Sequence, residues 1–314
     1  MARRKVCYSG IGGQAVLEGV MMRNGDRYAV SVRKPDGEVE TDVQSHRQLL
    51  AGNPVLKIPF VRGVFQFADS LSLGMKALNY SASFYDDETA QESGQSGNTG
   101  SEKAMEAIVI AISVVLALGL FVFLPTYLAS LFEEHIRNDS LIALIEGGIR
   151  VAVFLLYLIA IGLMKDIRRL YGYHGAEHKC INCIESGREL TPENVMKSSR
   201  FHRRCGTSFL FFVVFISILL ILFIRVKSLP LRLLVRLLLI PVVAGIAYEI
   251  LRLAGRTDGI FIRILSAPGL WIQRLTTREP DRRMVETAIA SVEAVFDWKA
   301  YLQEHFGEES VETR

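Results

Sequence analysis

The chain has 314 residues, half of them apolar, a formal net charge of +3 and a mean hydropathy of +0.27. A soluble protein with 22% charged residues rarely reaches a positive mean hydropathy unless its apolar residues are concentrated in a few segments. The small net charge argues against a nucleic-acid partner. Basic residues beside apolar segments suit anionic lipid headgroups instead, so membrane lipids are the predicted partners.

The amino-terminal part, residues 1–52, is predicted to form a small β-rich meander in the cytoplasm. Two turn signals separate short runs in which β-branched residues alternate with others. The signals are Asn24-Gly25 and Asp36-Gly37. Three nearby glycines lack the full spacing of a nucleotide-binding loop and are interpreted as turn formers. These are Gly10, Gly12 and Gly13.

The other soluble segments are predicted from composition and periodicity. Residues 53–85 contain an interfacial or core helix, and residues 86–104 form a flexible linker without an apolar run. Residues 254–314 form a cytoplasmic tail. Within the tail, residues 260–275 suit the membrane surface, and residues 284–306 have the spacing of an amphipathic helix.

Four apolar segments are each close to the roughly 20 residues that a helix needs to cross a bilayer. They cover residues 107–132, 141–164, 206–224 and 233–253. Lipid offers no hydrogen-bond partner to the backbone, and a helix satisfies its own backbone groups. The predicted fold is therefore a mainly α membrane protein with four transmembrane helices, a small β-rich amino-terminal part and amphipathic interfacial helices.

Orientation is predicted from lysine and arginine in the connections, because short basic loops stay in the cytoplasm. Residues 133–140 carry three acidic side chains and one arginine, which favours the outside. Residues 165–205 carry nine lysines and arginines, which favours the inside. We therefore expect a multi-pass protein of the cell membrane with both termini in the cytoplasm.

Charged residues inside the apolar segments are few. Glu146 and Arg150 lie one helical turn apart and are predicted to form a pair within their helix. Arg232 and Arg236 are long enough to reach the outer interface and are predicted to extend to it.

Residues 165–205 concentrate possible metal ligands: three of the six histidines and three of the four cysteines lie there. If the second apolar helix continues into this loop, His174 and His178 share one stripe with Glu177 beside them. This is the H-x-x-E-H arrangement of some zinc peptidases, in which the glutamate acts as general base. Glu185 or Glu249 is then a candidate for a further carboxylate ligand.

A second arrangement uses Cys180, Cys183, His202 and Cys205 as a closed structural zinc site. It requires the helix to break before Cys180. A third interpretation involves no metal, because histidines beside a membrane helix often bind only the backbone or headgroups, and cysteines are often small core residues.

Five sequence blocks resemble the YqhQ-like family of bacterial membrane proteins, and the resemblance covers almost the whole chain. The blocks are GGQAVLEGVMMR (12–23), PFVRG (59–63), HGAEHK (174–179), SRFHRRCGTSF (199–209) and PGLWIQRLTTREP (268–280). The family carries the label of predicted metal-dependent enzyme, which the resemblance extends to this chain. The family pattern includes five of the candidate site residues but not Cys180. They are His174, Glu177, His178, His202 and Cys205.

The sequence thus predicts a divalent metal, most simply zinc, held by His174, His178, His202 and Cys205, with Glu177 as the catalytic base. The predicted function is a metal-dependent hydrolase at the cytoplasmic membrane surface. The alternative is a non-enzymatic membrane scaffold or accessory protein, with or without structural zinc, that binds a cytoplasmic or membrane protein.

Overall fold

The computed structural model describes residues 6–85, 100–224, 226, 228–256 and 260–307. The described chain begins with a four-stranded antiparallel sheet in which each strand pairs with the next. The strands are β1 (Gly12–Val16), β2 (Gly19–Asn24), β3 (Arg27–Arg33) and β4 (Val39–Ser45). Gly25 and Gly37 have positive φ at the β2–β3 and β3–β4 turns, as the two turn signals require. The predicted meander is confirmed.

Eleven helices follow in the described residues. They are α1 (Val61–Ala82), α2 (Gly100–Leu118), α3 (Leu124–Ser130), α4 (Asp139–Ile161), α5 (Lys165–Glu185), α6 (Pro192–Met196), α7 (Gly206–Phe223), α8 (Leu229–Arg256), α9 (Ile260–Thr276), α10 (Arg282–Val295) and α11 (Trp298–Phe306). A 3-10 turn, Pro54–Lys57, precedes α1, and a π-helical turn, Gly119–Phe123, joins α2 to α3.

Four helical stretches are long and apolar enough to cross a membrane, as predicted from composition. They are Ala107–Ser130, Asp139–Ile161, Gly206–Phe223 and Leu229–Leu253. No residue in the apolar window of the first stretch is buried inside the protein. A helix that is apolar on every side and yet uncovered by protein has the surface expected of a membrane span.

The sheet is covered on both faces, which fixes the position of α5. Val20 and Met22 on one face pack with α5 and α10, whereas Met21 on the other face packs with Leu73 and Ala77 of α1. The alternation follows from the two-residue period of a strand. Helix α1 also contacts α8, and α7 packs between α8 and α9. The sheet therefore lies at one end of the bundle of apolar helices.

Two predicted helices are interrupted. The second apolar helix does not continue into the loop, because α4 ends at Ile161 and an extended Met164 separates it from α5. The predicted helix over residues 284–306 is divided into α10 and α11. Phe296 is extended there, and the Asp297 carboxylate accepts a hydrogen bond from the Ala300 amide and starts a new helix. The predicted linker lies mostly outside the described residues, and α2 begins within its predicted end.

Arg236 does not extend to the outer interface, contrary to the prediction. Its side chain is buried and binds both carboxylate oxygens of Glu146, at 3.1 and 3.0 Å. Glu146 also accepts hydrogen bonds from Arg150, at 3.1 Å, and from the Thr126 hydroxyl, at 3.0 Å. The predicted Glu146–Arg150 pair is thus part of a larger cluster that joins α3, α4 and α8.

Helix α5 makes one unusually close backbone contact. A Cβ atom placed on Gly175 would lie 2.0 Å from the carbonyl oxygen of Arg278, in the connection between α9 and α10. The Arg278 amide donates a hydrogen bond to the Tyr171 carbonyl at 2.9 Å, which holds the two segments together. Only glycine allows this separation.

We expect the substitution Gly175→Ala to lower the free energy of unfolding by about 1–3 kcal/mol, because the backbone must move to admit the methyl group. Gly148→Ala is the matched control, since a Cβ atom there meets nothing within 4 Å. The control should leave stability unchanged or raise it by up to about 1 kcal/mol through helix propensity. Thermal unfolding in detergent micelles measures both, and equal effects would contradict the close contact.

Candidate metal centre

Helix α5 carries the candidate ligands on one side and core residues on the other. Its core side includes Ala176, Cys180 and Ile184, which pack with the sheet and α10. His174 and His178, one turn apart, point instead toward Cys205 at the start of α7. The amphipathic pattern of α5 therefore orients both imidazoles.

Three donor atoms come together. Those of His174, His178 and Cys205 all lie within 4.8 Å of one another, and the His174 Nε2 to Cys205 Sγ distance is 3.1 Å. Two ligands of a tetrahedral zinc ion, with bonds of roughly 2.0–2.3 Å, are separated by about 3.3–3.8 Å. The separations in the group bracket this range, so one sulfur and two imidazole nitrogens could hold a zinc ion here.

The backbone determines which nitrogen of each imidazole faces the group. His174 Nδ1 lies 2.8 Å from the carbonyl oxygen of Thr276, and His178 Nδ1 lies 2.7 Å from that of Arg200. A carbonyl oxygen only accepts hydrogen bonds, so both Nδ1 atoms carry hydrogen. Each Nε2 atom is left facing Cys205. Zinc-bound histidines have the same outer arrangement.

Side chains of α5 also hold the loop that supplies one of these carbonyls. The Lys179 ammonium donates to the carbonyls of Met196 and Ser198, at 2.8 and 2.9 Å. The Asn182 amide donates to those of Ser199 and Phe201, at 2.7 and 3.0 Å. These four bonds keep residues 196–201 beside α5 and place the Arg200 carbonyl against His178.

Cys205 is the N-cap of α7, and its sulfur accepts a hydrogen bond from the Thr207 amide at 3.4 Å. Burial alone would raise the pKa of the thiol, but His174 and His178 lower that pKa well below its ordinary value. Burial alone would lower the pKa of His174, whereas the sulfur and Glu177 raise it to about 9. The group therefore favours a thiolate, the form in which cysteine binds metals.

Glu177 lies next to the group without joining it. Its Oε2 atom is 3.9 Å from His174 Nε2 and 3.7 Å from His178 Nε2. A Cβ atom on Gly13 would come within 2.8 Å of Glu177 Cγ, so strand β1 covers this carboxylate. Gly13 is therefore a close-packing residue and not a turn former. The repeated glycines of the 12–23 block were its only signal in the sequence.

His202, a predicted ligand, lies outside the three-residue group. Its ring centroid is 5.6 Å from that of His178, but its Nε2 atom is 3.5 Å from Glu185 and 3.1 Å from Arg204. The amide and carbonyl of His202 both bond to the Gln273 side chain of α9, at 2.9 and 2.7 Å. His202, Glu185 and Arg204 thus form a set of contacting side chains beside the three-residue group. The sequence did not indicate Gln273 as a site residue, because only the fold brings α9 next to His202.

The closed four-ligand arrangement does not form. Helix α5 continues unbroken through Cys180 and Cys183, and both cysteines lie in the hydrophobic core. Neither candidate for an extra carboxylate reaches the group. Glu249 is paired with Arg62 of α1, whereas Glu185 binds the Ser9 amide and hydroxyl at 3.0 and 2.7 Å.

Comparison with known proteins identifies the class. Residues 58–298 match a family described as "Protein of unknown function (DUF1385)". The chain belongs to this family. It is also 35% identical over 286 residues to the Bacillus subtilis (strain 168) protein named "Uncharacterized protein YqhQ", and the match covers 89% of this chain and 90% of the relative. No solved structure matches. The resemblance predicted from the sequence blocks is confirmed.

The contacts of Glu185 with His202 and Arg204, beside the candidate metal centre, can be tested through acid stability. Burial would raise its pKa, but His202 and Arg204 lower it to about 2, against an ordinary value of 4.5. A carboxylate with a lowered pKa stabilises the fold above its unfolded pKa. That stability should be lost as the pH falls from about 4.5 toward 2.

We expect Glu185→Gln to lower the free energy of unfolding at pH 7 by about 1–3 kcal/mol, because the Ser9 and Arg204 partners lose a charged acceptor. The variant should also lose part of the acid dependence below pH 4.5. Glu189→Gln, at an exposed position four residues away, is the control. Unfolding curves of the two variants that coincide between pH 3 and pH 7 would contradict this role.

Proposed function

We propose that this chain is an integral membrane, metal-dependent hydrolase in which His174, His178 and Cys205 hold a zinc ion. The observation that carries the proposal is the pair of Nδ1–carbonyl hydrogen bonds, which direct both Nε2 atoms toward one thiolate. Histidines that only hydrogen-bond the backbone would not have to direct their Nε2 atoms toward the same sulfur atom. Three protein ligands are also the number found in catalytic zinc sites, which keep one position open.

Glu177 is the proposed general base. Zinc in such a site acts as a Lewis acid and lowers the pKa of water. The carboxylate lies 3.7–3.9 Å from both Nε2 atoms, which is close enough to accept a proton from a water molecule beside the ligands. Its cover by strand β1 limits its motion. His202, outside the ligand group, would line the substrate side.

The position of the site suggests the substrate class. Cys205 immediately precedes Gly206–Phe223, one of the four helices apolar enough to cross a membrane. A site at this helix end would lie at the membrane surface. We therefore propose that the substrate is a membrane-associated peptide or lipid.

Metal analysis of the protein purified in neutral detergent tests the ligand set. We expect about one zinc per chain, with Cys205→Ser and His178→Ala losing most of it, because each removes one of three ligands. Glu177→Gln and His202→Ala should keep the metal. In the cobalt-substituted protein, Cys205→Ser should also remove the absorption band of a thiolate–cobalt bond.

Two cysteine variants serve as controls. Cys7→Ser and Cys183→Ser should retain zinc, because neither sulfur belongs to the group. Loss of zinc on changing Cys183 would favour the closed structural site. Hydrolysis of fluorogenic peptides or esters that needs zinc and disappears in Glu177→Gln supports the enzyme, whereas a wild type without stoichiometric metal favours the scaffold.

We further propose that the four apolar helices span the cell membrane with both termini in the cytoplasm. The support is the contrast between the acidic connection 131–138 and the basic surface formed by α5 and the residues that follow it. The sheet and the candidate metal centre then face the cytoplasm.

An epitope tag inserted beside Asn138 should be accessible to antibody on intact cells, because this loop is proposed to lie outside. A tag beside Ser186 should become accessible only after the membrane is permeabilised. Labelling of the Ser186 tag on intact cells would reverse the orientation. Expression of both tagged proteins is checked after lysis.

A further inference from the structure

The cluster around Glu146 carries an uncompensated charge. Arg150 and Arg236 each bond to Glu146, so two guanidinium groups share a single carboxylate. All three side chains are at least nine-tenths buried. Arginine does not release its proton in proteins. One positive charge is therefore left among four helices that are apolar enough for a membrane, where an unpaired charge is costly.

The same arginines retain unused hydrogen-bond donors. Arg150 Nε and Arg236 Nη1 are buried and have no hydrogen-bond partner. The remaining guanidinium nitrogens are occupied, since Arg150 Nη1 also donates to the Ser217 hydroxyl at 2.9 Å. Unused buried donors on cationic side chains are energetically costly, and an anionic acceptor would satisfy them.

Both arginines line a cavity of about 400 Å³ between α4, α7 and α8. Along α7 the cavity runs from Phe209 to Ile221, a length of about 18 Å at 1.5 Å per residue. Ser217 and the arginines lie toward the Ile221 end. The rest of the wall is aliphatic and aromatic, and no acidic side chain lines it among the described residues.

We infer that this cavity binds a long-chain carboxylate. The elongated apolar wall suits one extended acyl chain, and the excess positive charge at one end suits one negative charge. A carboxylate accepts hydrogen bonds through two oxygens and donates none, which suits two guanidinium groups that each retain an unused donor. A small head is also favoured because Glu146 lies about 10 Å along α4 from its first residue, deeper than a bulky phospholipid headgroup normally lies.

This site is separate from the candidate metal centre. Ser217 lies about 18 Å from Cys205 along α7, and no residue of the His–Cys group lines the cavity. Palmitate binding can therefore succeed or fail independently of zinc.

Equilibrium binding of radiolabelled palmitate to the delipidated, full-length protein in neutral detergent tests the inference. We expect about one palmitate per chain, and a dissociation constant raised tenfold or more in Arg236→Gln, which leaves a neutral Arg150–Glu146 pair. Val213→Phe, which fills the apolar wall without touching the charges, should weaken binding similarly. Arg232→Gln is the control: it removes a charge from the same helix at a residue that does not line this cavity.

Competition identifies the occupant. Unlabelled palmitate should displace the label, whereas hexadecanol, with the same chain and no charge, should not. Displacement by hexadecanol as strong as that by palmitate would remove the role of the arginines. Stronger displacement by phosphatidylglycerol, or full displacement by chloride, would replace the carboxylate by a phosphate lipid or a simple anion and overturn the inference. Absence of palmitate binding to the wild type overturns it as well. If Arg236→Gln fails to fold, Val213→Phe and the competition series still determine whether the cavity binds a long-chain carboxylate.

Discussion

The structure of the candidate centre depends on two hydrogen bonds from histidine side chains to backbone carbonyls. The carbonyls of Thr276 and Arg200 belong to segments about 75 residues apart, and both must lie against α5 for His174 and His178 to face Cys205. Much of the surrounding packing holds these two segments against α5. Gly175 admits the α9–α10 connection, and Gln273 holds the backbone of His202 from both sides. A carbonyl cannot donate, so the orientation does not depend on protonation at Nε2.

Local chemistry explains what the sequence could predict. Glycines in turn dipeptides need positive φ, and they produced the hairpins at Gly25 and Gly37. Twenty-residue apolar runs need helices in lipid, which located the four apolar helices within a few residues. The pairing of His174 with His178 followed from the four-residue spacing on one helix. Each of these predictions uses contacts within a short stretch of chain.

The remaining features depend on contacts between distant segments. His202 and Cys205 have the spacing of paired ligands, yet only the sulfur enters the group, because Glu185 and Arg204 hold the imidazole. Glu185 is itself fixed by Ser9, 176 residues earlier. The C-x-x-C spacing was equally ambiguous. Once α5 is continuous, Cys180 and Cys183 fall on its core side, and nothing local decides whether a helix with two internal glycines stays continuous.

Helix α7 relates the two proposed sites and separates their roles. Its N-cap, Cys205, belongs to the His–Cys group, and Ser217 binds the arginine cluster three turns later. A carboxylate held by Arg150 and Arg236 would therefore have its polar carbon about 18 Å from the sulfur. General-base catalysis requires hydrogen-bond reach, so Glu177 cannot act on a lipid bound in that way. The apolar end of such a chain would lie near Phe209, one turn from Cys205. A lipid in the cavity would therefore support the bundle beneath the centre, and a substrate would have to approach from the membrane surface.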